Sequence, residues 1–122
     1  MELIIEKGNN GSLWGRVLYE DDLITDEATS FADLEEKIRK ALRDFHNVEN
    51  ASFTYSYDLS SFFDAFDYLK ISKIAERAGI NTSLLRHYAA GSKTASAEQV
   101  GKIENAVHAL AQELAAVSLV AA

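Results

Sequence analysis

The chain contains no cysteine and no proline. Without thiols there is no disulfide framework and no zinc site built on thiolates, as is usual for cytosolic proteins. With no proline and no glycine run between its two halves, nothing marks a flexible linker. No stretch approaches the ~18 apolar residues of a membrane span. The opening Met1-Glu2-Leu3-Ile4-Ile5-Glu6-Lys7 is too short and too acidic for a secretory signal. Neither a Gly-x-Ser-x-Gly elbow nor a glycine-rich phosphate loop is present. The three histidines, His46, His87 and His108, form no pair with metal-ligand spacing. The carboxylates Glu20, Asp21, Asp22, Asp26 and Glu27 crowd a turn and a short strand, a solvated face more than a two-metal nuclease site. A cytoplasmic protein without catalytic activity, metal or cofactor is therefore expected.

What is present fits a soluble globular chain. Its 122 residues, 48% hydrophobic and 25% charged, suffice for one ordinary domain or two very small ones. The net charge of −7 argues at first against nucleic acid. Its distribution reverses that argument. Residues 1–69 carry 6 Lys/Arg against 15 Asp/Glu, whereas residues 70–122 carry 6 against 4. Within 70–93, Lys70, Lys73, Arg77, Arg86 and Lys93 face a single acid, Glu76. Such asymmetry suggests two parts with two kinds of partner.

The first part reads β-β-β-α-β. Glu2 to Lys7 and Leu13 to Tyr19 flank the turn cluster Gly8-Asn9-Asn10-Gly11-Ser12 and form a hairpin. A third strand from Asp22 to Ala28 follows a turn at Glu20-Asp21-Asp22. Ser30 is an N-cap with Asp33 three residues on. Leu34, Ile38, Leu42 and Phe45, with Phe31 and Ala41, then form one apolar stripe of a helix ending near His46-Asn47. Glu35 with Arg39 and Glu36 with Lys40 have i,i+4 spacing on its other face. From Ala51 to Asp58, Phe53, Tyr55 and Tyr57 alternate with Ser52, Thr54 and Ser56, which is strand periodicity. After Leu59 the period becomes helical, with Phe62, Phe63, Phe66 and Leu69 behind Ser60 or Ser61 as cap. The chain divides there, into residues 1–58 and 59–122.

Ile71 to Tyr88 has the spacing of a helix-turn-helix. Ala75 stands four residues before Gly79, where the second helix crosses closely. Gly79 occupies the turn position that favours a left-handed backbone. Ile74, Ala78, Ile80, Leu85 and Tyr88 plug the small core, and Thr82 or Asn81 caps the second helix. The motif resembles that of the Cro and phage-repressor superfamily, including the Tyr88-Ala89-Ala90-Gly91 ending. In such motifs the second helix enters the major groove of double-stranded DNA. Asn81, Thr82, Ser83, Arg86 and His87 are then the residues facing base edges, with Ala90 beside them. Arg86 suits guanine and Asn81 adenine, with a phosphate contact the alternative for either. Lys70, Ser72, Lys73 and the Gly91-Ser92-Lys93-Thr94 loop suit phosphate contacts, which position the protein on the duplex.

Ser96-Ala97-Glu98-Gln99 opens a last helix with a capping box. Val100, Ile103, Val107, Leu110, Leu114 and Val117 follow at alternating spacings of three and four. Its first half is expected to pack on the helix-turn-helix, and its second half to offer a contact for a homodimer or higher oligomer.

Order and motifs together resemble the HicB-type antitoxins of bacterial type II toxin–antitoxin systems. The resemblance rests on Ile24 to Phe45 and, more strongly, on Leu69 to Val117. It implies an α+β chain whose first domain is a partial ribonuclease-H-like fold that binds and blocks a small, basic, RNA-cleaving toxin. It further implies a helix-turn-helix that represses the operon through its operator. The net charge of −9 over residues 1–69 suits a basic partner. The glycine-containing turn usual before the third strand is replaced by Glu20-Asp21-Asp22, which leaves the register of that strand, and the toxin-contacting residues, open. A stand-alone transcription regulator with a dimerisation or sensing domain is the alternative.

Overall fold

The computed structural model describes residues 1–122. The chain is α+β, with a four-stranded mixed sheet and five helices. It forms two compact units, Met1–Ala65 and Phe66–Ala122.

In the first unit, β1 (Glu2–Lys7), β2 (Leu13–Tyr19) and β3 (Asp22–Ala28) form an antiparallel meander. Helix α1 (Phe31–His46) then carries the chain to β4 (Thr54–Tyr57), which pairs parallel to β1 and completes the order β3-β2-β1-β4. The strand expected from Ala51 to Asp58 is thus confined to its second half. The hairpin from β1 to β2 turns through Asn9–Gly11, a single 3-10 turn in which Asn10 and Gly11 both take positive φ.

The β2–β3 turn is made by Glu20 and Asp21 alone. Both have positive φ, 46° and 72°, the sense of a type I′ hairpin turn. Its closing pair is Tyr19 with Asp22, and the register runs from there to Leu13 opposite Ala28. The register left open by the missing glycine is therefore fixed, with the turn residues held in backbone strain that Asn-Gly would avoid.

The pleat sorts side chains onto two faces. Leu3, Ile5, Val17 and Ala28 bury one face against Leu34, Ile38 and Leu42 of α1, and Ala51 completes the cluster. Gly15 lies under Leu34: a β-carbon there would stand 3.0 Å from a Leu34 methyl, so glycine lets helix and sheet close up. The aromatic residues of β4 extend the same layer, with Phe31 and Tyr55 edge to face at 5.5 Å. The Tyr55 hydroxyl donates to Glu35 at 2.6 Å and holds that carboxyl below its usual range, against burial and with help from Arg39. Arg39 donates to Glu35 and to the Ala51 carbonyl and lies over the Phe53 ring.

Three local expectations are corrected. Phe45 does not join the stripe and is 80% exposed. The stripe continues at i+4 from Leu42 with His46, whose ring packs edge-on against Tyr19 at 5.1 Å. Glu36 does not pair with Lys40; it meets Arg43 at 3.4 Å, while Lys40 reaches Asp44 at 2.5 Å. Helix α2 (Leu59–Ala65) is not capped by Ser60 or Ser61, both of which are buried. Asp58 does this, accepting from the Ser61 N–H at 2.8 Å.

The second unit contains α3 (Ile71–Ala78), α4 (Thr82–Ala90) and α5 (Ala97–Ala116). Ile74, Ala75, Ile80, Leu85, Tyr88, Ile103 and Ala106 are its buried residues. No helix of the chain is long and apolar enough to cross a membrane.

Candidate nucleic-acid interface

The site is built by the turn between α3 and α4. Gly79 ends α3 with φ 70°, ψ 34°, and its N–H closes back on the Ala75 and Glu76 carbonyls. A left-handed residue here redirects the chain within two residues, which is how two short helices cross at a tight angle. Ala75 is completely buried, and a larger side chain there would push the helices apart. Ile80 fills the turn from below, and Leu85 and Tyr88 anchor α4. Ala78 is only half-buried.

The apolar anchors fix which face of α4 is free. Asn81, Ser83, Arg86, His87 and Ala90 are exposed, and Thr82 is half-buried. These are the positions read from the sequence as base-facing. Their chemistry differs from that reading at two points. Asn81 is the N-cap: its side-chain oxygen accepts from the N–H groups of Ser83 at 2.9 Å and Leu84 at 3.3 Å. Its acceptor is therefore occupied, and a bidentate pairing with adenine, which needs that oxygen and the amide nitrogen together, is opposed by the cap. Ser83 contributes its N–H to the same cap while its side chain remains outside.

His87 is held by Ser92. Its Nδ1 lies 2.8 Å from the Ser92 hydroxyl, which also donates to the His87 carbonyl at 3.2 Å. With the hydroxyl proton used in that way, Nδ1–H is the donor and Nε2 is the ring atom turned outward as acceptor in the neutral form. Gly91, at φ 80°, ends α4 and makes the turn that brings Ser92 back onto His87. The 91–94 loop, expected to contact phosphate, thus has its Ser92 hydroxyl engaged with His87; the one sequence signal for this bond is a hydroxyl two residues past the last helical residue, next to a glycine.

Arg86 has no ion-pair partner, and neither do Lys70 and Lys93. Lys73 lies 3.6 Å from Glu76 in an exposed i,i+3 pair, and Ser72 is half-buried at the start of α3. Arg77, the fifth cation of this stretch, is bound elsewhere. It grips Glu113 of α5 with two nitrogens. The free cations therefore flank α4 at the start of α3, on α4 itself and in the loop that follows.

Helix α5 is capped by Ser96, which accepts from Gln99 at 3.2 Å. Its packing onto the motif is made by Ile103 and Ala106, with Val100 37% exposed and Val107 half-buried. The helix ends at Ala116, and Leu114, Val117, Leu119 and Val120 are exposed. No group of three His, Asp or Glu side chains converges as metal ligands would.

Comparison with protein-family models, curated proteins and solved structures finds no match to this chain.

Proposed function

We propose that this chain is an antitoxin of the HicB type: a cytoplasmic, non-enzymatic protein that neutralises a small basic RNA-cleaving toxin and represses its own operon. The observation that carries the reading is the pairing of two units of opposite character. Met1–Ala65 holds 6 Lys/Arg against 14 Asp/Glu, and its element order is β-β-β-α-β before α2. That order is what a partial ribonuclease-H-like antitoxin domain requires. Phe66–Ala122 holds two short helices crossing at Gly79, with a polar face on the second and three unpaired cations around it. That arrangement suits an operator half-site, with α4 in the major groove.

In this reading Arg86 contacts a base edge, Ser83, His87 and Thr82 lie beside it, and Lys70, Ser72, Lys73 and Lys93 hold phosphates. A homodimer or higher oligomer sets two copies of α4 on adjacent half-sites. The reading predicts a small basic protein encoded beside the gene, and co-expression with it is the test. A stable complex that abolishes RNA cleavage and binds the upstream DNA is expected. Binding of that DNA with no such partner would leave a stand-alone regulator.

A further inference from the structure

The face of the sheet turned away from α1 carries exposed apolar side chains among its polar ones. Leu18 and Leu23 stand directly opposite each other across β2 and β3 and are 67% and 63% exposed. Trp14, on the same face two pleats along β2, is 46% exposed, and Ile4 of β1 lies half-buried beside Arg16. The indole is not loose. A β-carbon at Gly8 would come within 2.6 Å of its Cδ1, so the ring rests on bare backbone and is held in place. A fixed, half-exposed aromatic beside a pair of leucines has the composition of an interface anchor.

The charges on this face decide what covers it. Glu2 and Glu6 of β1 and Glu27 of β3 share it, and Glu20 stands at the turn beyond Leu18. Arg16, the one cation among them, is already bound to Glu6 at 2.9 Å. No lysine guards the face, as one would in a sheet built to stay solvated. A second copy of the same face would bring four carboxylates against four, within a unit of net charge −8. A surface with apolar side chains of its own and a cationic rim meets both requirements.

We infer that this sheet face, with Trp14, Leu18 and Leu23 at its centre and Glu2, Glu6 and Glu27 at its rim, is where the basic partner protein docks. The inference rests on the antitoxin reading and adds the surface that reading lacks. Because Trp14 is the single tryptophan of the chain, it reports on the contact without a label.

The test titrates the full chain with the purified small basic protein encoded beside the gene, provided as a variant without tryptophan. A shift of Trp14 emission to shorter wavelength is expected on binding, and the association rate should fall as salt is added. The Leu18→Glu/Leu23→Glu variant, with circular dichroism unchanged, should bind roughly a hundredfold or more weakly. Phe45→Glu, on the exposed side of α1, should bind as the unaltered chain does.

A complex that forms with no change in Trp14 emission, or that the Leu18/Leu23 variant forms equally well, overturns the assigned surface and leaves the antitoxin reading standing. Loss of binding in Phe45→Glu alone also places the contact elsewhere. Failure of the unaltered chain to bind the basic protein overturns both. Self-association of the unaltered chain that the Leu18/Leu23 variant abolishes assigns the face to a second copy instead. The emission measurement needs no variant of this chain, so it remains decisive should the double substitution impair folding.

Discussion

Arg77 and Glu113, 36 residues apart, meet in a two-pronged ion pair with N···O distances of 2.9 and 2.5 Å. The pair ties the end of α3 to the last turns of α5, beyond the Ile103 and Ala106 contacts of that helix. It also removes Arg77 from the cations available to a nucleic acid.

The pair has a pH signature. The hydrogen bond from Arg77 holds the Glu113 carboxyl below the ordinary glutamate range, against burial and with help from the Arg77 charge. A carboxyl lowered on folding contributes stability above its unfolded pKa, ~4.3 for glutamate. That contribution is lost as pH falls through the lower folded value. Arg77 stays charged throughout. Glu113→Gln is therefore expected to lower the melting temperature at pH 7 and to leave it unchanged well below pH 4. Melting curves of both proteins across that range check this. A constant gap at all pH values would mean that the charge of Glu113 contributes nothing.

Asn81 separates capping from recognition. Asn81→Ala removes the acceptor for two backbone N–H groups and should cost about 1 kcal/mol of stability. Asn81→Ser restores the acceptor and most of that loss. Urea unfolding of the three proteins measures it. If Asn81 acts on DNA only by shaping the start of α4, Asn81→Ser also restores operator affinity; stability recovered without affinity would assign its amide nitrogen to a base.

The β2–β3 turn is predicted to be improvable. Glu20 and Asp21 both hold positive φ, which Asn and Gly adopt with less strain. Glu20→Asn/Asp21→Gly should raise stability by on the order of 1 kcal/mol without altering the register. A loss of stability would mean that the two carboxylates, not the turn geometry, matter there.

Much of this architecture was legible in the sequence, and the reasons are local. Strand and helix periods placed β1, β2, β3 and α1 within a residue or two, and Gly79 with Ala75 marked the crossing of α3 and α4. What escaped depends on partners distant in the chain. The parallel pairing of β1 with β4 joins residues far apart in the chain, from Glu2 with Thr54 to Ile5 with Tyr57. Phe45 was misplaced because its angular position matches Leu34, whereas contact with the sheet is made by His46 instead. Glu36 and Lys40 had proper spacing, yet Arg43 and Asp44 were equally within reach of those flexible side chains. On β2, Trp14 and Leu18 flank the buried Gly15 and Val17 at positions where alternation calls for polar side chains. That departure is the sequence signal for the uncovered sheet face.

Arg86 carries the sharpest prediction about recognition. It is exposed on α4 between the buried anchors Leu85 and Tyr88 and has no ion-pair partner. Arg86→Ala should weaken operator binding by ~1–3 kcal/mol, the range for a bidentate base contact. Random-sequence DNA should be affected much less. Equal losses on both would assign Arg86 to a phosphate.

The central claim, that α3 and α4 present a DNA-reading face, is tested most directly by fluorescence anisotropy of the full chain with DNA from upstream of its gene, over a series of salt concentrations. Specific binding is predicted. The logarithm of the association constant should fall linearly with that of salt, by ~0.9 per phosphate neutralised, and Lys93→Ala should reduce the slope by about one phosphate. Binding no tighter than to random DNA, or affinity indifferent to salt, would contradict it.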